Sequence, residues 1–197
     1  TTTDWDSLML RRHARLMAKV HSKKGEIGFS LLKRFDTEIY SFRNGGMESQ
    51  VERYEDLVRE ARLEFGSHDD LFKELQLCRI HGDLTVENIL WKDGDCRYID
   101  WEHSMMGDPA YDVAKLYHQE PIMDWTIELD EDGYLDAYPG DGTLKERVRL
   151  WQHYTLLTDM IYFAWKYENY KEVETDRPRS DYKKSIEQME RMLRRKS

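Results

Sequence analysis

Apolar positions along this chain recur mostly at helical spacing. Met9, His13, Leu16 and Val20 lie 4, 3 and 4 residues apart, with Leu10 and Met17 beside them. That pattern predicts an amphipathic helix over 7–21, with Asp6 as its N-cap. Gly25 and Gly28 punctuate the next stretch, and Asn44-Gly45-Gly46 predicts a polar turn within 40–48. Val51, Tyr54, Val58, Ala61 and Phe65 mark a second helix, with Gly66 placed as a C′ stop. Ser67 with Asp70 predicts a capping box that opens a short helix through Glu74.

The middle of the chain changes character. Leu75 to Ile80 is a short apolar run ending at His81-Gly82-Asp83. Ile89-Leu90-Trp91 and Arg97-Tyr98-Ile99 read as two strands, and the Asp93-Gly94 pair between them signals a hairpin. A helix is expected from Pro109 to about Gln119, followed by a loop-like stretch over 120–143 rich in Pro and Gly. Leu144, Val148, Trp151, Thr155, Thr158, Tyr162 and Trp165 then share one face of a long helix. Tyr182, Ile186, Met189 and Leu193 give a last helix, ending in the basic tail Arg194-Arg195-Lys196. The pattern predicts a mainly α fold with one small β-hairpin.

Composition narrows the function classes. Among 197 residues, 35% are charged and 12% aromatic, too aromatic for a disordered chain. The formal charge of −9 argues against a general nucleic-acid binder and leaves room for a cationic or metal-chelated partner. Two cysteines, Cys78 and Cys96, exclude a disulfide framework and a CxxC zinc site, and both are expected as reduced, half-buried thiols. No stretch approaches the ~20 apolar residues of a membrane span, and no signal peptide is visible, so no membrane role and a cytoplasmic location are expected.

The chemistry concentrates in residues 81–114. Asp83 and Asn88 lie in a loop between two extended runs, and Asp100 ends the second hairpin strand. A tight hairpin returns the chain to its start, so Asp100 is expected near Asn88. A carboxylate and an amide oxygen are hard donors suited to Mg²⁺ held partly by a nucleotide's phosphates. Asp83 is then free to face a hydroxyl, an arrangement that matches the phosphoryl-transfer template.

This segment resembles the aminoglycoside phosphotransferase / choline kinase family of small-molecule kinases, which is similar in fold to protein kinases. The resemblance rests on His81-Gly82-Asp83 with four residues to Asn88, on Ile99-Asp100-Trp101-Glu102, and on Gly107-Asp108-Pro109-Ala110-Tyr111-Asp112. It implies Asp83 as catalytic base, His81 as the residue orienting the loop, and Asn88 and Asp100 as Mg²⁺ ligands. It also implies that Leu90 forms the apolar floor under adenine, although Leu90 would serve equally as plain hairpin core. Asp108 and Asp112 would tie the catalytic loop to the helix start. Glu102 reads either as a partner to the metal site or as a surface carboxylate. Protein kinases carry Arg where Gly82 stands, and a long switchable loop where Gly107 follows only seven positions after Asp100. A small-molecule acceptor is therefore expected.

No GxGxxG occurs in the chain, and no strand-borne Lys followed by a helix with a partner Glu is expected before residue 81. The resemblance thus implies that 1–197 is the C-terminal lobe, with the N-terminal nucleotide lobe absent from this chain. From Glu120 to Asp141 there are eight acidic residues and no Lys or Arg, with Trp125, Tyr134 and Tyr138 among them. Carboxylates beside aromatic faces suit an amine or quaternary ammonium acceptor. The expected activity is ATP-dependent phosphotransfer to a hydroxyl of an amino sugar, a choline-like alcohol or a sugar. The competing reading is a non-catalytic kinase-like binding or regulatory module.

Overall fold

The computed structural model describes residues 7–22, 24–92, 95–117, 138, 142–171 and 178–196. The helices are α1 (Ser7–Val20), α2 (Leu31–Phe42), α3 (Glu48–Arg53), α4 (Glu55–Ser67), α5 (Asp70–Lys73), α6 (Pro109–Tyr117), α7 (Leu144–Glu168) and α8 (Arg179–Lys196). The strands are β1 (Lys24–Ile27), β2 (Gln76–Ile80), β3 (Ile89–Lys92), β4 (Asp95–Tyr98) and β5 (Met105–Gly107). The mainly helical architecture with a β3–β4 hairpin matches expectation. A second sheet, in the antiparallel order β1-β2-β5, was not expected. Its outer strands are four and three residues long, too short for an alternating pattern to stand out. β1 also places Lys24 on a strand ahead of residue 81.

Two compact units divide the described residues. The first holds α1, the five strands, α5, α6 and α7 as far as Gln152. Ala14 and Met17 of α1, Leu77 and Ile80 of β2, Leu84, and Ala110, Val113, Ala114 and Leu116 of α6 are buried in it. An aromatic cluster sits on Trp151, whose ring centroid lies 4.9 Å from Tyr111 and 5.6 Å from Phe29. Both cysteines are free, but Cys78 on β2 is fully buried rather than half-buried.

The second unit holds α2 to α4, the rest of α7 and α8. Leu31, Phe35 and Ile39 give α2 a buried stripe at four-residue spacing, and the Ser30 hydroxyl caps it by accepting from the Lys33 amide. The sequence reading missed this helix, because Lys33, Arg34, Asp36, Thr37 and Glu38 dilute the stripe. The expected turn at 40–48 is a wide helical turn, Arg43–Met47, kinked at Gly46 with φ 87°. The helix expected over 51–65 is two helices, broken at Tyr54 with φ −110° and ψ 25°. Gly66 does not stop α4, which runs on to Ser67. The Ser67 hydroxyl donates back to the Glu64 carbonyl instead of capping α5.

Candidate active site

The HGD loop emerges from β2 and is fixed by α6. Asp108 is the N-cap of α6: its Oδ1 accepts from the Ala110 amide at 3.0 Å, and Pro109 occupies the first helical position. One turn later, Asp112 points its carboxylate back at the loop. Its Oδ2 accepts from the His81 amide at 2.7 Å, and its Oδ1 from the Gly82 amide at 2.9 Å. These are charge-assisted bonds to buried donors, so they fix the loop's main chain firmly. Gly82 has φ +85°, and a Cβ there would stand 2.2 Å from the His103 carbonyl oxygen. The loop therefore requires glycine where protein kinases carry Arg.

His81 is fully buried. Its Nε2–H donates to the Ile99 carbonyl at 2.8 Å, and its Nδ1 accepts a long bond from the Asp83 amide at 3.4 Å. The two partners select the neutral Nε2–H tautomer. The imidazole packs on Trp101 with ring centroids 4.7 Å apart. His81 thus touches the residues on either side of Asp100.

The hairpin register does what its length implied. Ile89 pairs with Tyr98, and one step on the Ile99 amide donates to the Asn88 carbonyl at 3.0 Å. Asn88 and Asp100 are brought to the same end of the hairpin. The Asn88 side-chain amide donates to the Asp83 carbonyl at 2.9 Å, tying it to the HGD loop as well. Asp100 has φ 61° and ψ 63°, and it is the one non-glycine residue with positive φ among the described residues. That conformation costs an L-residue roughly 1–2 kcal/mol, and such outliers collect at functional sites.

Side-chain partners separate the acidic residues into two kinds. Asp108 and Asp112 are about 1% exposed and fully engaged. Asp108 accepts from Arg147 Nε at 3.1 Å and from the Trp151 indole at 2.8 Å. Burial still lifts its carboxyl above the usual range, against the pull of Arg147. By contrast, nothing among the described residues engages the carboxylates of Asp83 and Asp100 or the amide oxygen of Asn88. Asp83 and Asn88 are half-buried and Asp100 is exposed. The Asn88 amide oxygen and the Asp100 carboxylate are hard donors that fit a Mg²⁺ ion completing its shell with phosphate and water, and the Asp83 carboxylate is left open beside them. Among the described residues no group of three or more His, Cys, Asp or Glu could hold a metal by itself.

Leu90 is 51% exposed, so it is not hairpin core and presents an apolar surface on β3. Glu102 is an exposed carboxylate beside His103, 3.5 Å away. The acidic stretch 120–141 lies outside the described residues except for Tyr138, and so does Asp6. Tyr138 is buried, and its hydroxyl meets His21 Nδ1 at 2.5 Å, while His21 Nε2 lies 3.0 Å from Asp112 Oδ2. The sequence reading missed His21, Arg147 and the role of Trp151. A charged Arg147 four residues before Trp151, beside the apolar face of α7, was the available signal. No described helix is long and apolar enough to cross a membrane.

The phosphotransferase enzyme family matches residues 6–151, well over half of the chain. Protein LicA of Haemophilus influenzae is 36% identical over 55 residues, which cover 28% of this chain and 21% of that protein. Choline kinase LicA from Streptococcus pneumoniae has a TM-score of 0.60 at 22% identity, over 96% of this chain and 66% of that one. A spectinomycin phosphotransferase solved with ADP and spectinomycin has a TM-score of 0.63 at 10% identity, over 95% of this chain and 63% of that one. The chain spans less than two thirds of these proteins' lengths. The two superpositions establish a shared kinase-like fold, and the match that takes in α1, the HGD loop, the hairpin and α6 assigns the sequence itself: this chain belongs to the phosphotransferase enzyme family.

Proposed function

We propose that the protein transfers the γ-phosphoryl group of ATP to a hydroxyl of a small molecule. The observation that carries this reading is the set of unengaged oxygens on Asp83, Asn88 and Asp100, held together by the HGD loop and the hairpin end. A purely structural loop would leave such groups paired, as Asp108 and Asp112 are.

In this reading Asp83 accepts the proton of the acceptor hydroxyl. The hydroxyl oxygen forms the new bond to the γ-phosphorus, the bond to the β–γ bridging oxygen breaks, and ADP leaves with that electron pair. Mg²⁺ would supply charge neutralisation on the phosphates, with Asn88 Oδ1 and Asp100 as its protein ligands. His81 keeps Asp83 and Asp100 in register through its two hydrogen bonds. Leu90 would form the apolar floor beneath adenine. The chain would supply the catalytic-loop lobe, with the phosphate-covering lobe contributed by sequence outside these 197 residues.

Choline is the acceptor we favour. The support is the local identity to LicA and the superposition on a choline kinase of that name. Eight carboxylates and three aromatic residues within 120–141 suit a quaternary ammonium head. The test is ADP release by the full-length protein with ATP, Mg²⁺ and choline, ethanolamine, an aminoglycoside or a neutral sugar. Acceptor-dependent ADP release that is lost in Asp83→Asn is expected, strongest with choline. No acceptor-dependent release with any of them would leave the binding-module reading in its place.

A further inference from the structure

Asp112 is the clamp on the HGD loop, and it has a third donor that comes from far away in sequence. His21 stands just past the end of α1, nearly buried, and its Nε2 lies 3.0 Å from the same Oδ2 that takes the His81 amide. A neutral imidazole is useful there in only one tautomer. With the proton on Nε2 it donates to the carboxylate. With the proton on Nδ1 it turns a lone pair toward that oxygen, and the clamp is pushed apart. The Asp112 carboxylate only accepts, so it draws the proton to Nε2; the group that matches this choice at Nδ1 is the hydroxyl of Tyr138 at 2.5 Å, which can donate there.

We infer that Tyr138 and His21 are positioning residues for the catalytic loop: Tyr138 donates to His21 Nδ1, so that His21 donates from Nε2 to Asp112 and Asp112 holds the His81 and Gly82 amides. The inference rests on the phosphotransferase reading for its effect on turnover, though not for its effect on the loop. The chain of bonds is continuous and buried: 2.5 Å, 3.0 Å, then 2.7 Å and 2.9 Å. Burial, with Cys78 and Asp112 nearby, pushes the Tyr138 phenol's pKa up, so the phenol keeps its proton and remains a donor. Around metal-bound histidines, outer partners that fix the ring's tautomer are typically worth 10- to 100-fold in affinity or activity, which sets the order of effect to look for.

The test is a double-mutant cycle in the full-length protein. Tyr138→Phe removes one hydroxyl and keeps the ring, so folding is retained. His21→Gln keeps an N–H donor near the Nε2 position and has no tautomer to select. Two readouts are taken: exchange rates of the His81 and Gly82 amides by NMR, and kcat with KM for ATP using choline as acceptor. Tyr138→Phe is expected to quicken exchange of both amides about 10-fold and to lower kcat by a similar factor, with KM for ATP within about twofold. In the His21→Gln background the same change should cost less than about twofold, because the carboxamide needs no partner to orient its proton. A general loss of stability would instead lower kcat equally in both backgrounds, and that result overturns the inference. So does wild-type amide exchange in Tyr138→Phe. Should the wild type phosphorylate no acceptor, the functional reading fails by itself, and the amide exchange still decides whether Tyr138 and His21 hold the loop.

Discussion

Gly82→Ala should damage both stability and turnover, and the size of the damage is set by the loop's geometry. Alanine at φ +85° is strained by roughly 1–2 kcal/mol before any contact is considered. Its Cβ would then stand 2.2 Å from the His103 carbonyl oxygen and 2.9 Å from the carbonyl carbon, both main chain. Relief needs a separation above 3 Å, a shift of about 1 Å between two backbone segments. The segment carrying residue 82 is held by the Asp112 bonds to the His81 and Gly82 amides, so the shift breaks at least one bond to a carboxylate, worth about 1.5–3 kcal/mol. The total is about 3–5 kcal/mol. For a chain of this length that corresponds to a fall in Tm of roughly 6–20 °C. Because Asp83 is the next residue, a displacement near 1 Å should lower kcat about 100-fold, with a smaller change in KM for ATP. Differential scanning fluorimetry and steady-state kinetics on the same preparation measure both. A Gly82→Ala protein within 1–2 °C of wild type and with unchanged kcat would refute the claim that glycine is required by the close approach to His103.

Asp83→Asn should lower kcat by roughly 10²–10⁴ with little change in ATP affinity, as read from kinetics and nucleotide titration. Mg²⁺ should show no calorimetric binding at sub-millimolar concentration without nucleotide, since Asn88 and Asp100 offer only two side-chain donors, and tight binding to the bare protein would point to a different site. Arg147→Met strands the buried Asp108 carboxyl and should cost about 3–5 kcal/mol in a urea melt, with Asp108→Asn added to it restoring part of the loss. Burial, reinforced by His21, lowers the pKa of His13 from 6.5 to about 3. The unfolded state therefore binds one more proton at this position between those values. Stability from His13 is complete above pH 6.5 and is lost as pH falls toward 3, at up to about 1.4 kcal/mol per pH unit, so His13→Gln should flatten the fall in urea midpoint between pH 6 and 4.

The legible part of this protein was the part whose logic is local. The HGD loop, the hairpin ends and the start of α6 fall within 34 residues, and their chemistry is written in residue types at short spacing. α1 and α8 were legible because each buries residues at helical spacing, His13 and Met17 in one and Tyr182, Met189 and Leu193 in the other. α2 was not, because three buried positions, Leu31, Phe35 and Ile39, are separated by charged and hydroxyl side chains. β1 and β5 were not, because strands of three and four residues gain their order from β2 rather than from any pattern of their own. The break at Tyr54 leaves no mark on the apolar spacing, which runs through it unchanged.

The groups that secure the site were the least legible, for a physical reason. Asp112 is 91 residues from His21, and Asp108 is 39 from Arg147 and 43 from Trp151. Sequence spacing carries no information about pairings at such separations, because only the packed core decides them. Yet these pairings leave the reacting groups free. The donors offered by α1, α7 and the loop's own main chain are taken up by Asp108 and Asp112, both buried. None is directed at the carboxylates of Asp83 or Asp100, whose oxygens would, in the proposed reaction, take a proton and a metal ion. A site made this way separates fixing the loop from doing chemistry with it. Losses at Asp108, Arg147 or Trp151 should therefore appear first in stability. Losses at Asp83, Asn88 or Asp100 should appear in turnover with the melting temperature nearly unchanged. Asp112 joins both sets: Asp112→Asn keeps the shape of the side chain but replaces one acceptor oxygen with a donor facing an N–H. It should lower Tm and kcat together, and a variant that lowered only one of them would show that fixing the loop and placing Asp83 are not the same task.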